Sequence, residues 1–334
     1  MYDTAVRHTN TAPGAVGGRD GAHAGVRADG LGKRFDDLWA VRDLDLDVAP
    51  GTVLGLLGHN GAGKTTAIRM LTTLSRPTEG RASVAGFDVV THGADVRRRI
   101  GVASQQTTVD PLLDARLNLE LIGRLSQLPR AAARRRAAEL LTRLDLDDAA
   151  DRLVKTFSGG MRRRLDLAAC LLATPSVLFL DEPTTGLDPR SREDLWTVLR
   201  DLVDGGTTLI LTTQYLEEAD RLADDIVVMD HGRSVATGTP SELKRRIGGD
   251  RIEVTVPEHT ELVAAGAVIS PFATGELSLD GDSLTVTASV GADVRIVDVV
   301  RALDDAGIDV RDVNRRQATL DDVFLTLTTP GARP

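Results

Sequence analysis

Residues 58–65 read GHNGAGKT, and this short segment constrains the fold of the chain more than any other. It matches the pattern G-x-x-x-x-G-K-[ST] and lies between an apolar run at 53–57 and a helical pattern that begins near residue 63. The glycines allow backbone N–H groups to close around phosphate oxygens, and the positive end of the helix dipole faces the anion. A glycine-rich turn that contains a lysine by coincidence is the alternative, but the strand–turn–helix setting favours a nucleotide site.

The residues of this segment have different predicted roles. Lys64 is expected to contact the β- and γ-phosphates, and the Thr65 hydroxyl is expected to bind Mg²⁺. The predicted cofactors are therefore ATP and Mg²⁺. The predicted nucleotide contacts are Gly58, His59, Asn60, Gly61, Ala62, Gly63, Lys64, Thr65 and Thr66.

Two adjacent carboxylates follow a second apolar run. Residues 177–180 read VLFL and lead directly into Asp181 and Glu182. Because open α/β sheets bind ligands at the carboxyl ends of their strands, these acids are expected beside the phosphate-binding loop. Asp181 is predicted to hold Mg²⁺, mainly through water, and Glu182 to act as the general base on the attacking water. The alternative is that the two carboxylates have no chemical role and simply lie at a solvated strand end before a turn at Pro183.

Strand-like runs alternate with helical patterns over most of the chain. Runs at 177–180, 207–212 and 226–229 follow the one at 53–57, while residues 43–48 alternate with period two. This order predicts an α/β fold with a mostly parallel sheet that is covered on both faces.

A helical insert is predicted in the middle of this pattern. Residues 111–150 carry Leu, Ala and Arg at helical spacing, and Pro129 is expected to separate one helix from the next. The helical subdomain is expected at about 107–170.

The two ends of the chain differ from this pattern. Residues 1–26 are rich in Gly and Ala without a hydrophobic period, which predicts a disordered tail. Near the other end, strand-like runs such as RIEVTV and a helical pattern at 296–306 predict a small α+β accessory domain at 248–334. The main domain is therefore expected at 27–247.

Composition excludes several classes of protein. No run approaches the roughly 20 apolar residues of a membrane helix and no signal peptide is evident, so the chain is expected to stay in the cytoplasm. A formal net charge of −9 disfavours a nucleic-acid partner. Cys170 is the only cysteine, which excludes an intramolecular disulfide, and its apolar surroundings predict a small core residue.

Residues 157–161 read FSGGM and precede a helical run. Ser158 with the amides of Gly159 and Gly160 can form a second anion site at a helix N-terminus, although SerGlyGly is also a common N-cap. Since it comes between the phosphate-binding loop and Asp181, the segment resembles the LSGGQ signature of the ABC ATPase family.

The resemblance covers about residues 27–245. It implies a P-loop NTPase (ABC ATPase) fold and a head-to-tail dimer with a second copy of the chain. In such a dimer, Ser158 of one copy would bind the γ-phosphate of the ATP held by Lys64 of the other.

Further residues match this family in the expected order. Phe35 lies where the family stacks an aromatic ring on adenine, although a lone Phe is more often a core residue. Gln105 matches the glutamine that contacts Mg²⁺ and water, with Gln106 as the alternative register. Asp188, in PTTGLD at 183–188, matches the residue that reaches across the dimer.

Two positions depart from the family pattern. Met161 replaces the usual Gln of the signature, and Gln214 stands where most members have a histidine that bonds the γ-phosphate. A Gln amide can donate this hydrogen bond but cannot carry a proton at neutral pH. Gln214 is therefore predicted as a catalytic residue beside Glu182, with hydrolysis continuing through Glu182. A module that holds ATP and hardly hydrolyses it is the alternative.

Two segments resemble the drug-export branch typified by daunorubicin/doxorubicin resistance ATP-binding subunits: TTQYLEEADRLAD at 212–224 and LDDVFLTL at 320–327. The second is also expected to form a short amphipathic helix packed on the small domain. This resemblance implies efflux of a hydrophobic drug through a separate integral-membrane permease, with the chain on the cytoplasmic face of the membrane. The alternatives are another transported substrate (a lipid, a polysaccharide or an imported solute) or an ABC ATPase without a transporter.

The candidate surface for the permease is the segment at 107–117. It follows the predicted glutamine loop and contains Pro111, Leu112 and Leu113.

Overall fold

The computed structural model describes residues 25–103, 108–246, 250–275, 277–291, 293–316 and 319–328. The predictions for Gln105 and Gln106 lie outside these residues, as do residues 1–24 of the predicted tail. The first strand begins at Val26, whose side chain is fully buried, so the last residue assigned to the tail is part of the sheet.

The elements of the first part of the chain are β1 (Val26–Phe35), β2 (Leu38–Val48), β3 (Val53–Leu57), α1 (Lys64–Leu71), β4 (Glu79–Val84), β5 (Phe87–Asp88), α2 (Gly93–Arg97), β6 (Ile100–Ala103), α3 (Ala115–Leu125), α4 (Arg130–Arg143), α5 (Gly159–Leu171), β7 (Val177–Asp181), α6 (Pro189–Asp204), β8 (Thr208–Thr213), α7 (Leu216–Leu222), β9 (Asp225–Asp230), β10 (Arg233–Gly238) and α8 (Pro240–Arg246). The elements that follow are β11 (Asp250–Thr255), α9 (His259–Ile269), β12 (Ser278–Asp280), β13 (Thr285–Val290), α10 (Ile296–Asp305), β14 (Asp312–Arg316) and α11 (Leu320–Thr328).

The larger sheet has the strand order β10-β9-β3-β8-β7-β6. Every pairing in it is parallel except that of β10 with β9, which confirms the predicted mostly parallel sheet. Strands β3 and β7 both pair with β8, and Asp181 lies opposite Thr212 in the register of β7 and β8. The segments that follow β3, β7 and β8 therefore emerge side by side at one edge of the sheet.

A second, antiparallel sheet with the order β2-β1-β4-β5 was not predicted, apart from the run at 43–48 that lies within β2. Strand β1 reads VRADGLGKRF, and its pairing with β2 shifts register between Ala28 and Leu31 and again beyond Leu31. Such irregular pairing disrupts the period-two pattern by which a strand is detected in a sequence. This sheet shares an apolar core with α1.

The predicted helical insert consists of α3, α4 and α5. Pro129 directly precedes α4, as its position between two helical patterns suggested. Buried residues of the three helices, among them Leu119, Leu140 and Leu165, form part of one apolar core with the larger sheet.

The C-terminal region contains an antiparallel sheet with the order β12-β13-β11-β14, with α9 and α10 packed on it around a separate apolar core. This confirms the predicted α+β fold. The predicted terminal helix is present as α11, but the expectation that it packs on the small domain is wrong. It packs on α7 and α8, and its buried Leu320 and Val323 belong to the apolar core of the larger sheet.

Candidate functional site

The turn between β3 and α1 has a backbone that requires glycine at two positions. A Cβ on Gly58 would lie 2.5 Å from the carbonyl oxygen of Met229, and one on Gly63 would lie 2.5 Å from that of Ala40. Gly63 also has a φ of +105°, which L side chains rarely adopt. The loop is therefore packed against β2 and β9, and α1 begins directly after Gly63, with the positive end of its helix dipole at the loop.

Lys64 is the first residue of α1, and only 4% of it is exposed. Its Nζ donates to the carbonyl oxygens of Gly58 at 2.7 Å and His59 at 3.1 Å, so the ammonium group lies within the loop. Burial lowers the pKa of Lys64, and the carboxylates of Glu182 and Asp181 oppose that effect. The result is a concentrated positive charge where the sequence predicts phosphate oxygens.

Asp181 lies at the end of β7 and accepts hydrogen bonds from two threonines. The Thr65 hydroxyl is 3.1 Å from its Oδ2, and the Thr212 hydroxyl is 2.5 Å from its Oδ1. Three oxygen-bearing side chains from α1, β7 and β8 therefore converge. Oxygen atoms are the ligands that Mg²⁺ prefers, so this set of donors fits the predicted ion.

Glu182 directly follows β7 and has a φ of +51°, a left-handed conformation that is uncommon for a residue other than glycine. Its N–H donates to the carbonyl oxygen of Thr212 at 3.0 Å, and its Oε2 accepts from the Thr185 hydroxyl at 3.2 Å. These contacts hold the strained backbone in place. Such strain is concentrated at functional sites, where it fixes the direction of a side chain.

Gln214 is exposed and directly follows β8. Because β8 is the neighbour of β7 and parallel to it, Gln214 emerges at the same edge of the sheet as Glu182. The two residues predicted to be catalytic are therefore brought to one edge of the sheet.

The segment that resembles the signature begins α5. Ser158 is the N-cap of this helix, since its Oγ accepts from the N–H of Met161 at 3.2 Å, and both Ser158 and Gly159 are exposed. A Cβ on Gly160 would lie 2.8 Å from Ser191 Oγ, so glycine allows α5 to approach α6 closely. The Met161 side chain is half-buried and packs against the apolar core, which accounts for an apolar residue there.

Asp188 caps α6 in the same region. It accepts from the Ser191 hydroxyl at 2.6 Å and from the Ser191 N–H at 3.2 Å, and these hydrogen bonds lower the pKa of Asp188. Because Ser191 also lies against Gly160, the first turns of α5 and α6 form one unit.

Arg163 was missed in the sequence, where it is one of three consecutive arginines. Its guanidinium donates to the carbonyl oxygens of Asp181 (3.1 Å), Glu182 (3.1 Å) and Pro183 (2.7 Å), and burial lowers the pKa of Arg163. It therefore links the helix of the signature segment to the backbone that presents both carboxylates.

Phe35 and Cys170 were each given a core interpretation. Phe35 ends β1 with 50% of its surface exposed, so it is not a core residue; its ring lies 5.1 Å from Lys33 Nζ. Cys170 packs between α5 and β6 and its Sγ donates to the Val102 carbonyl oxygen at 3.1 Å. Burial raises the pKa of Cys170 to about 12, which makes it an unreactive thiol.

Comparison with known proteins decides the family. The ABC transporter family matches residues 41–185, and the family "ATP-binding protein DrrA1-3-like, C-terminal domain" matches 238–328. Daunorubicin resistance ATP-binding protein DrrA2 of Streptomyces coeruleorubidus is 53% identical over 91% of this chain and 94% of its own length. This chain belongs to the ABC transporter ATP-binding proteins. Doxorubicin resistance ATP-binding protein DrrA of Mycobacterium tuberculosis is 46% identical to this ABC ATPase, over 87% of this chain and 88% of that protein.

Solved structures agree with this assignment. One solved structure is of an ATP-binding subunit of an ABC transporter that is 26% identical to this chain. The match covers 67% of this chain and 93% of that subunit, with a TM-score of 0.60. A dimeric bacterial ABC transporter cassette is 24% identical, and the match covers 64% of this chain and 98% of the cassette with a TM-score of 0.58. This match shows that the two chains share a fold. The chain is therefore an ABC-type ATPase with a P-loop NTPase fold, followed by a DrrA-like C-terminal domain.

Glu218 of this ABC ATPase is fully buried on α7, the helix that follows β8. Its Oε1 accepts from the indole N–H of Trp196 at 3.2 Å. Burial raises the pKa of Glu218, and hydrogen bonds from Thr213 and Trp196 only partly offset that effect. The folded protein therefore holds a proton on this carboxyl that the unfolded chain releases at lower pH.

Glu218→Gln is expected to make the free energy of unfolding less dependent on pH. As pH rises above about 4.3 the unfolded chain loses this proton first, so the wild type loses stability until the raised folded-state pKa is passed. Gln stays neutral and can still accept from Trp196. Urea unfolding at pH 5 and pH 8 should show that the stability of the variant rises relative to that of the wild type at pH 8, by about 1.4 kcal/mol for each unit by which the folded-state pKa exceeds that of the unfolded chain.

The matched control is Glu217→Gln, because Glu217 is the exposed neighbour on the same helix. It should follow the wild type at both pH values. An equal pH dependence in wild type and Glu218→Gln would show that Glu218 is ionised in the folded protein.

Proposed function

We propose that this ABC ATPase supplies the energy for an exporter that expels a hydrophobic drug through a separate integral-membrane permease. The similarity to daunorubicin and doxorubicin resistance ATP-binding proteins carries this proposal. It spans 87–92% of the chain, including the C-terminal domain, at 46–53% identity. Similarity confined to the ATPase core would support only the general assignment to ABC transporters, without an indication of the substrate.

The residues at the sheet edge support a division of roles in ATP hydrolysis. Lys64 and the backbone of the phosphate-binding loop bind the β- and γ-phosphates, and Phe35 offers its exposed ring to adenine. Thr65 and Asp181 would hold Mg²⁺, which when bound neutralises charge that develops on the phosphate oxygens. Glu182 accepts the proton of the attacking water and Gln214 donates a hydrogen bond to the γ-phosphate.

A second copy of the chain completes the site in this proposal. Ser158 and Gly159 are exposed at the N-terminus of α5, while Gly160 and Asp188 are held by contacts around Ser191 in their own chain. An exposed helix N-terminus with a serine can bind the γ-phosphate of an ATP held by the other copy. Head-to-tail pairing would bind two ATP molecules between two chains, and Asp188 would lie near the dimer interface.

The permease is proposed to dock on an exposed leucine patch that consists of Leu112, Leu117, Leu121 and Leu153. Between 40% and 69% of each of these residues is exposed. Leu117 and Leu121 are one helical turn apart on α3, and Leu153 forms a bridge with Asp114. An apolar patch of this kind indicates a protein or membrane partner.

Leu113, in contrast, is half-buried, and its carbonyl oxygen accepts from the Val154 N–H. Among the described residues no helix is long and apolar enough to cross a membrane. Binding to the permease would therefore hold the subunit at the cytoplasmic face.

The double variant Leu112→Asp, Leu117→Asp is expected to release most of the subunit from membranes that contain the permease. Two buried charges in an apolar interface cost several kcal/mol unless they are paired. Sedimentation of membranes followed by immunoblotting measures the bound fraction. Leu74→Asp is the control, since Leu74 is 71% exposed on a different part of the ATPase. Membrane association that persists in the double variant would place the permease elsewhere.

Drug export itself is tested by accumulation of daunorubicin in cells, followed by its fluorescence. Cells that express the subunit with its permease should hold less drug than cells in which the subunit carries Glu182→Gln. Equal accumulation, with ATP hydrolysis intact, would contradict this substrate and leave the ATPase assignment standing. Relatives named Nod factor export ATP-binding protein I, at 39–40% identity, make an export substrate of that class the second candidate.

A further inference from the structure

A cluster of three metal-ligating side chains lies beside the phosphate-binding loop. His59 comes from the loop itself, while Asp230 and His231 come from the end of β9 and the turn that follows it. His59 Nε2 is 2.9 Å and His231 Nε2 is 3.8 Å from Asp230 Oδ1. The three ligand atoms lie within 4.8 Å of one another, and no role described above uses the imidazole of His59 or either of the other two side chains.

The contacts of His59 point to a cation at this cluster. Its Nδ1 lies 2.7 Å from the Asn60 carbonyl oxygen, and its Nε2 faces the Asp230 carboxylate. Both of these partners are acceptors, but a neutral imidazole carries only one proton. A cation held between Nε2 and the Asp230 carboxylate would satisfy both groups. Metal-ligating histidines usually donate their other ring N–H to a backbone carbonyl, as Nδ1 of His59 is placed to do.

We propose that His59, Asp230 and His231 form a binding site for a divalent metal ion of the zinc class. Two imidazoles and one carboxylate suit Zn²⁺ or a similar first-row ion, whereas Mg²⁺ prefers oxygen ligands alone. With metal–ligand distances of about 2.0–2.1 Å, tetrahedral geometry separates ligand atoms by roughly 3.3–3.5 Å. Two of the three separations, 2.9 and 3.8 Å, lie on either side of that value, and the third is within 4.8 Å. A fourth position would remain for water.

The ion would join two segments that already contact each other through their backbones. Gly232 N–H donates to the Ala62 carbonyl oxygen at 3.1 Å, and the His59 carbonyl oxygen accepts from both Ala62 N–H and Lys64 Nζ. A metal bound through His59 would therefore hold the phosphate-binding loop to the β9–β10 turn. The site shares no residue with the predicted Mg²⁺ ligands Thr65 and Asp181, and it uses the imidazole of His59, whose backbone belongs to the phosphate-binding loop.

Titration of the nucleotide-free, full-length chain with ZnCl₂ in a calorimeter tests the site. The wild type should bind one Zn²⁺ in a saturable step, and its Tm should rise because the ion binds the folded state. His231→Asn should weaken that step about tenfold or more. Asn is the suitable replacement because His231 has a φ of +45°, which Asn tolerates, so the turn is retained.

Two control variants separate this site from adventitious binding. His92→Asn removes a histidine on a different part of the chain, and the double variant His8→Asn, His23→Asn removes two from the N-terminal segment. Both should bind Zn²⁺ as the wild type does. The proposal is overturned if the wild type binds no Zn²⁺, if His231→Asn binds it unchanged, or if a control variant loses the binding step.

A spectroscopic test depends neither on the heat of binding nor on the Tm of the protein. Co²⁺ in place of Zn²⁺ should give the intense visible bands of four-coordinate cobalt in the wild type and lose them in His231→Asn. Weak bands typical of six-coordinate cobalt in the wild type would show that these side chains do not enclose the ion.

Discussion

Glu182→Gln is expected to lower the rate of ATP hydrolysis about 10²- to 10⁴-fold, the usual contribution of a general base. Gln has the same shape as Glu, and its Oε1 can still accept from the Thr185 hydroxyl, so the strained backbone should keep its conformation. It cannot take a proton from water at neutral pH. Release of phosphate from Mg²⁺-ATP measures the rate, and binding of a fluorescent ATP analogue should be retained.

The same variant should also accumulate an ATP-bound dimer, because ATP molecules that are not hydrolysed would continue to hold the two chains together. Size-exclusion chromatography in ATP measures that population. Glu193→Gln is the matched control, since Glu193 is exposed on α6, and it should hydrolyse ATP at the wild-type rate. Hydrolysis at the wild-type rate in Glu182→Gln would require another base and withdraw the assigned role.

Elements whose signal is local could be predicted from the sequence. The phosphate-binding loop, the run before Asp181 and the helix break at Pro129 each depend on neighbours within a few residues. The antiparallel sheet of β1, β2, β4 and β5 and the packing of α11 could not be predicted in the same way. The former requires pairing between irregular segments, and the latter depends on which apolar surface is left uncovered after both domains have formed.

The residues of the candidate site also fall into those that a local motif predicts and those that depend on tertiary packing. Lys64, Asp181 and Glu182 belong to motifs in which residue type and spacing carry the chemistry. Arg163 and Thr212 acquire importance only through the register of β7 with β8 and the packing of α5 behind them. Asp188 and Ser158 show the converse, because their motifs predict roles across a dimer while within one chain both serve as helix N-caps.

Lys64→Met is expected to reduce ATP hydrolysis about 10²- to 10³-fold, the range found when one preorganised donor to developing charge is removed. The ammonium group is the buried positive charge of the loop, donating to the Gly58 and His59 carbonyl oxygens. Without it, the β- and γ-phosphates would face backbone N–H groups alone, so affinity for ATP should fall as well. Calorimetric titration with ATP and a phosphate-release assay measure the two losses.

The stability of this variant separates lost chemistry from a lost fold. Burial lowers the pKa of Lys64, which means that the folded state disfavours the charged form and is penalised for it at neutral pH. Met removes this penalty but leaves the Gly58 and His59 carbonyl oxygens without their donor, so the free energy of unfolding should fall by no more than about 1–3 kcal/mol. Lys155→Met, at an exposed lysine, should leave hydrolysis unchanged. A larger loss of stability in Lys64→Met would make the lysine a structural support of the loop, and the loss of hydrolysis would then not report on phosphate binding.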